Sequence, residues 1–519
     1  MEAPGDYRKI RRDKLRCLRE RGVDPYPHTF HCSHGCQEVH DRFEQLAGTE
    51  VTVAGRLRSL RLMGKVAFGH VEDASGTLQL YIRKDALGAE VYGLLKQIDL
   101  GDFLGARGKV FRTRMGEVSV QAESIMVLSK ALQPMPIVKE KDGVVYDAFR
   151  DRETRYRKRY LDLMVNAETR ELFRKRATTI SVLRRYLDER GFLEVETPIL
   201  QRIYGGGMAR PFRTHHRALE MDLYLRIAEE LPLKMLIVGG LDRVYEIGRV
   251  FRNEGLDRQH NPEFTLLEFY WAYADYRDGM ELVEDLLRHV IRAVTGDLTL
   301  SYGGDVIDFS VPFARRTMME LIEESTGVDL VGADDATLRT LCERLGAEMP
   351  AGTPMGKRIE KIFDLAVEPK LIQPTFVIDH PKVVSPLAKS HRDQPDELVE
   401  RFELFIAGME FANAFTELND PEEQRRRFED QLRQREAGDD EAHPLDEDFL
   451  TALEHGMPPT AGVGIGVDRV VMLLTGAPAI RDVLLFPHMR PQSEGETDQP
   501  PSEQQTSGQK GSASRGMEP

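Results

Sequence analysis

Cysteine is scarce in this chain: four residues in 519. That is too few for a disulfide framework, and it fits a reducing, cytoplasmic setting. Tryptophan occurs once. No run approaches the roughly 18 apolar residues of a membrane span, so no membrane association is expected. The first residues, MEAPGDYRKIRRDKLRC, lack the apolar stretch of a secretory signal. Net positive charge is also missing. Asp and Glu number 86 against 71 Lys and Arg, a formal charge of −15, which argues against a nonspecific nucleic-acid coat but leaves local basic patches open. Two such patches stand out. One is Arg8, Lys9, Arg11, Arg12, Lys14, Arg16, Arg19 and Arg21; the other runs through RYRKRY and RELFRKR, between Arg155 and Arg176. Each reads equally well as a solvated helix face.

The length allows two or three domains. Residues 1–50 read as a basic helical extension, its first 24 residues amphipathic. Residues 51–133 carry short alternating runs (VTVAGRL, KVAFGHVED, LQLYIRK, FLGARGKVF) split by Gly and charged turns, the pattern of a small closed β-barrel. A linker follows at 134–150. From 151 to 490 the pattern changes to long helices and buried strands arranged as an antiparallel sheet, with a helical insertion at 315–372. The tail, 491–519, has almost no apolar residue and is expected to be disordered. The fold class is therefore α+β.

Two frames carry the chemistry. FRNEGLDRQHNPEFTLLEFYWAYADY spans Phe251 to Tyr276, and GVGIGVDRVVMLL spans Gly462 to Leu474. Each holds an arginine, the side chain that never titrates, in a Gly- or acid-bearing setting suited to phosphoryl or nucleotidyl chemistry. Neither is a Walker loop or a dinucleotide fingerprint. Glu403 and Glu410 recur seven positions apart in ERFELFIAGMEFANAF. Carboxylates are the hard oxygen ligands that Mg²⁺ prefers beside phosphates. The alternative is two surface acids, a weak reading for Glu410 between Met409 and Phe411.

FRNE, RQHNPEF, ANAFTELNDP and GIGVDR in this order resemble motifs 2 and 3 of the class II aminoacyl-tRNA synthetases, most closely the lysyl-tRNA synthetase family, from about Asp6 to Arg490. The resemblance implies an OB-fold anticodon-binding barrel and a class II catalytic domain. It implies activation of L-lysine with ATP and Mg²⁺, then transfer to the 3′ end of tRNA(Lys). It gives Arg252 the α-phosphate and substrate carboxylate, and Arg469 the γ-phosphate end. Glu254, His260, Asn261 and Phe264 fall on the ATP-binding loop, with Phe264 stacked on adenine. Glu403 and Glu410 hold ATP-bound magnesium. Gly206, Glu230, Arg252, Glu268, Tyr270, Asn413, Phe415, Glu417 and Gly464 line the amino-acid pocket. A buried acid cluster without a cation is costly, so this pocket calls for a long cationic substrate. Motif 1 is GFLEVETPIL, Gly191 to Leu200, and implies a homodimer. On the barrel, the resemblance assigns Phe68 to stacking on an anticodon base, and Arg56 and Gln79 to uridine edges. Gln79 alternates with Leu78 and Leu80 and is expected to face away from the core; Tyr81 offers a second platform on the same face.

Two departures from the family pattern are visible. AEELPLK replaces APELYLK, introducing Glu229 and Pro232, and Tyr204 stands where PGG has proline. Three rivals carry less. A paralogue that modifies elongation factor P lacks the barrel, a degenerate RNA-binding paralogue is expected to lose Arg252, Glu410 or Arg469, and an aspartyl or asparaginyl enzyme conflicts with the acidic pocket. His28, His31, Cys32, His34, Cys36 and His40 have the side chains of a zinc site but no standard finger spacing.

Overall fold

The computed structural model describes residues 4–136, 139–141, 144–146, 149, 151–350, 352–436 and 444–491. Nearly all of the expected disordered tail, and much of the end of the linker, lie outside the described residues. The chain divides into two compact units, Met1–Arg150 and Asp151–Pro519.

In the first unit, five strands close into a barrel in the order β1-β2-β3-β5-β4. They are β1 (Glu50–Met63), β2 (Val66–Glu72), β3 (Thr77–Arg83), β4 (Phe103–Arg112) and β5 (Val118–Ser129). Alternation drives closure: Val51, Val53, Leu57, Ala67, Val71, Leu78, Leu80 and Val120 turn inward and form one core. Helix α1 (Pro4–Glu20) docks on the barrel through Leu15, Leu18 and Arg11. It is shorter than the 24 residues expected. Two three-residue strands, Lys139–Lys141 and Val144–Tyr146, pair within the expected linker.

The second unit is built on an eight-stranded sheet in the order β9-β10-β11-β12-β13-β8-β7-β6. These are β6 (Leu193–Glu194), β7 (Arg243–Phe251), β8 (Glu263–Ala272), β9 (Ala314–Thr317), β10 (Thr375–Pro381), β11 (Leu398–Ile406), β12 (Met409–Thr416) and β13 (Thr460–Gly466). The six central strands pair antiparallel, and only the two edge strands run parallel to their neighbours. Helices α2 (Ala167–Asp188), α4 (Tyr276–Thr295) and α6 (Val467–Thr475) cover one face and bury the main core. An Asp275–Asp278 capping box starts α4, and Gly296, left-handed at φ 84°, ends it. Helix α3 (Glu230–Val238) contains most of the segment that departs from the family pattern. Its Pro232 falls in the first turn, where a missing N–H breaks no helical bond. The motif 1 segment carries little strand: Leu193–Glu194, then Leu200–Gln201 in a separate sheet. Helix α5 (Met355–Ala366) lies within the expected insertion.

Candidate active site

Antiparallel register builds the floor of the site. Glu246, Glu268, Gly464, Asn413 and Glu403 stand side by side across β7, β8, β13, β12 and β11. The row two residues away carries Tyr270, Gly462, Phe415 and Arg401, so both rows present side chains to the same face. The glycines of β13 make the hollow. A Cβ on Gly462 would sit 1.9 Å from a Glu417 carboxylate oxygen and 2.5 Å from the Tyr270 ring, whereas the nearest atoms to one on Gly464 are 3.8 Å away. Gly462 therefore admits neighbouring side chains, and Gly464 leaves open space. The resulting cavity is about 600 Å³.

Arg252 and Arg469 both line this cavity. Arg252 follows β7 and is fixed by its backbone N–H on Pro262 O (2.9 Å). Its guanidinium lies 5.3 Å from the Phe264 ring centroid and donates to Ile227 O at 3.4 Å. Among the described residues it forms no ion pair. Arg469 sits in the first turn of α6, held there by Asp468, which accepts from Thr265 N–H (2.7 Å) and from Arg176 (2.5 Å). Its guanidinium donates to the Glu410 backbone carbonyl, lies 3.3 Å from the Glu410 carboxylate, and lies 3.3 Å from His260 Nε2. Because His260 Nε2 accepts from an arginine, its proton sits on Nδ1, which donates to Asp257 at 2.8 Å. Asn261 is buried and donates to Glu263 O, while its own side-chain oxygen has no partner among the described residues. Glu254 lines the same loop.

The acid end is crowded. Glu268 accepts from Glu229 N–H (3.0 Å) and from the Tyr270 hydroxyl (3.1 Å). Burial, with the Glu230 charge beside it, pushes its carboxyl up to about 7. Lys234, fully buried on α3, lies 2.5 Å from Glu230 and also pairs with Glu417. This corrects the expectation of an acid cluster lacking its own cation: the protein supplies one. Glu417 consequently lies behind the cavity wall and is absent from its lining, where Gly206, Glu230, Glu268, Tyr270, Asn413, Phe415 and Gly464 are all present. Glu229, one of the departures from the family pattern, is also completely buried. It lies 3.0 Å from Arg226, yet burial and the nearby Glu268 and Glu246 charges outweigh that arginine and push its carboxyl up to about 10.

Glu403 and Glu410 sit on adjacent strands and line the cavity, paired with Arg401 (2.5 Å) and Arg469. Sequence reasoning missed Lys357, Glu360, Lys361 and Asp364. Helix α5 brings them to the same wall, where burial and the neighbouring acids push the Glu360 carboxyl up to about 7. Their spacing gave only a helix with a polar face, which reads as solvated.

On the barrel, Arg56 stands opposite Glu72, Phe68 opposite Tyr81 and Gln79 opposite His70, all on the outer face. The Phe68 and Tyr81 rings are 5.2 Å apart, and Tyr81 and Phe111, which sequence reasoning did not single out, are 5.4 Å apart. Arg56 donates to Gly101 O (3.0 Å) and packs over Phe103. Gln79 does leave the apolar core, but it is only 7% exposed. Its amide donates to Glu117 (2.6 Å) and accepts from Ser119 (2.8 Å), and His70 covers the same carboxylate. Among the described residues no group of His, Cys, Asp and Glu is arranged to hold a metal. Cys36 of the His/Cys stretch is buried against Val71 O, and His40 bonds to Thr77 O.

Residues 151–490 match the class II tRNA synthetases (D, K and N), and residues 51–128 match an OB-fold nucleic-acid-binding domain. A lysine–tRNA ligase of Moorella thermoacetica is 52% identical over 497 residues, 95% of this chain and 100% of that protein. The chain belongs to the lysine–tRNA ligase family. Lysine–tRNA ligases of Bacillus subtilis (50% identity, 94% of this chain, 98% of that protein) and Porphyromonas gingivalis (50%, 93% and 85%) also match over most of their length. The barrel is the OB-fold of this family, and the eight-stranded sheet is the core of its class II catalytic domain.

Proposed function

We propose that the chain activates L-lysine with ATP to lysyl-adenylate and transfers lysine to the 3′ end of tRNA(Lys), releasing AMP and diphosphate. The observation that carries this reading is one cavity with Arg252, which has no ion pair among the described residues, beside a buried acid row and a second arginine, Arg469, at a helix start. Adenylation brings a carboxylate onto an anionic phosphorus, so the site must neutralise developing charge. Arg252 meets the α-phosphate and the substrate carboxylate, stacked with Phe264, which lies under adenine. Arg469 and His260 take the γ-phosphate end. Glu254 and Asn261 read the adenine; the Asn261 side-chain oxygen, without a partner among the described residues, is an acceptor suited to an amino group. Glu268 and Glu230, with Tyr270, Asn413 and Phe415, receive the lysine. Gly206 and Gly464 leave it room, and Glu417 acts from behind through Lys234. No side-chain nucleophile is needed, and the rate comes from positioning and electrostatics.

The donor set at Glu403 and Glu410 fits Mg²⁺: hard carboxylates from two adjacent strands, too few for an all-protein cage and therefore suited to an ion shared with phosphates. When bound there, Mg²⁺ supplies neutralisation of phosphate charge.

Homodimer formation is part of the same proposal. It is supported by Leu193, Ile199 and Leu200, exposed on the motif 1 segment beside the sheet edge. Four unpaired cysteines fit a cytoplasmic setting. Phe68, Arg56 and Gln79 are proposed to read the anticodon, Gln79 by exchanging its bond to Glu117 for a base edge.

Amino-acid-dependent ATP–pyrophosphate exchange, run with each of the twenty amino acids and no tRNA, tests the site. Exchange with lysine alone is expected. Exchange with aspartate or asparagine instead, or with none of the twenty, overturns the pocket assignment.

A further inference from the structure

The basic N-terminal stretch is not used by anything described so far, and its helix has a defined rotational setting. Arg11 fixes that setting. Its guanidinium is buried and donates to three backbone carbonyls, those of Ala131 (3.1 Å), Gln133 (3.0 Å) and Leu100 (3.0 Å). Lys14 adds an ion pair to Asp99 at 2.5 Å, and Leu15 and Leu18 pack beneath. With Arg11, Lys14, Leu15 and Leu18 facing the barrel, the 3.6-residue period places Arg8, Arg12, Arg16 and Arg19 on one flank, at i, i+4, i+8 and i+11, with Lys9 beside them. All five are exposed. Two acids of the helix, Asp13 and Glu20, border that flank beside Lys9 and engage only Arg16 (2.7 and 4.0 Å). Among the described residues, Arg8, Lys9, Arg12 and Arg19 have no carboxylate partner. An unbalanced cationic stripe of this kind is conspicuous in a chain of net charge −15.

Its position on the barrel is also defined. Arg11 holds Leu100 O, and the next carbonyl, Gly101 O, is held by Arg56, one of the proposed anticodon readers. The helix that carries the stripe therefore lies beside the edge from which Arg56 projects.

We infer that the exposed face of α1 is a phosphate-binding surface for the tRNA, contacting the ribose-phosphate backbone alongside the anticodon loop. Backbone contacts by arginine and lysine position an RNA and add salt-dependent affinity without reading sequence. The inference rests on the tRNA-ligase reading above. The occupant is a folded polyanion because the stripe spans three turns of helix and carries no apolar side chain to enter a bilayer.

The test uses the full-length protein with Arg8→Gln, Arg12→Gln and Arg19→Gln combined, and a second variant with lysine at the same three positions. The glutamine variant is expected to raise KM for tRNA roughly tenfold or more at moderate salt and to flatten the log–log salt dependence of tRNA binding by about three. Lysine-dependent pyrophosphate exchange should stay at the wild-type rate, and the lysine variant should recover most of the tRNA affinity. Loss of tRNA affinity should be equal for transcripts with correct and altered anticodons. An unchanged KM and salt slope overturns the inference. So does loss of binding to phosphatidylglycerol vesicles with tRNA kinetics intact, which would assign the stripe to a membrane. Loss of exchange in the glutamine variant also overturns it, because the stripe would then serve the catalytic unit. Failure of the wild-type protein to exchange with lysine, by contrast, counts against the proposed function and leaves the RNA surface to be judged by direct binding.

Discussion

The ammonium of Lys234 lies 2.5 Å from Glu230, and neither it nor its second partner, Glu417, is exposed to solvent. The proposed lysine pocket thus contains a lysine of its own, which pairs with Glu230 on the cavity wall and with Glu417 behind it and leaves Glu268 without an ammonium partner. Removing one member of a buried ion pair strands the other charge, at a cost of about 3–5 kcal/mol. Lys234→Met is therefore expected to lose about that much stability in urea unfolding and to raise KM for lysine. Wild-type stability in this variant would show that the pair is not formed in solution.

Arg252 behaves differently because it forms no ion pair among the described residues. Arg252→Ala should abolish pyrophosphate exchange while changing stability by less than about 1 kcal/mol. Thermal unfolding and exchange measured on the same preparation check this, and retained exchange removes Arg252 from the chemistry.

Glu268 gives a pH dependence. Burial and the Glu230 charge push its carboxyl up to about 7, and only the carboxylate attracts the ammonium group of a substrate. Below pH 7 the group must release a proton when lysine binds, so KM for lysine should fall as pH rises from 6 to 8. The change should approach about tenfold per pH unit on the acid side and level off above pH 7. The stability effect has the opposite sense. A folded-state value above the unfolded one, about 4.3, means that this carboxyl's contribution is fully present below pH 4.3 and is lost as pH rises through 7. A pH-independent KM between 6 and 8 would remove Glu268 from lysine binding.

Phe68 belongs to a row of three neighbouring rings with Tyr81 and Phe111, each tilted against the next. Stacking on an aromatic is worth about 1–3 kcal/mol per base. Phe68→Ala should therefore raise KM for tRNA about five- to hundredfold in aminoacylation and leave pyrophosphate exchange intact. Equal loss of both steps would show that the barrel does not act as a separate reader.

The motif arginines and the cavity acids were legible because each sits in a local frame whose chemistry is carried by adjacent residues. The α+β class was legible for the same reason, since period-2 and period-3.6 patterns are local. Gln79 shows the limit. Alternation placed it outside the apolar core, but only the fold brings Glu117, Ser119 and His70 over it and turns an expected surface amide into a buried one. Helix α5 shows another limit, because a polar face reads as solvated until the chain wraps it onto a cavity.

The sequence by itself determined the two arginine frames, the barrel and sheet patterns, and the acidic character of the pocket, all properties of neighbouring residues. Tertiary structure alone decided which acids remain free for a substrate. That depends on Lys234 reaching Glu417 from a distant strand end, on glycines at 462 and 464 opening the sheet face, and on Arg11 fixing which side of α1 faces solvent. Charge compensation and empty space are relations between segments far apart in the chain, and folding alone brings those segments together.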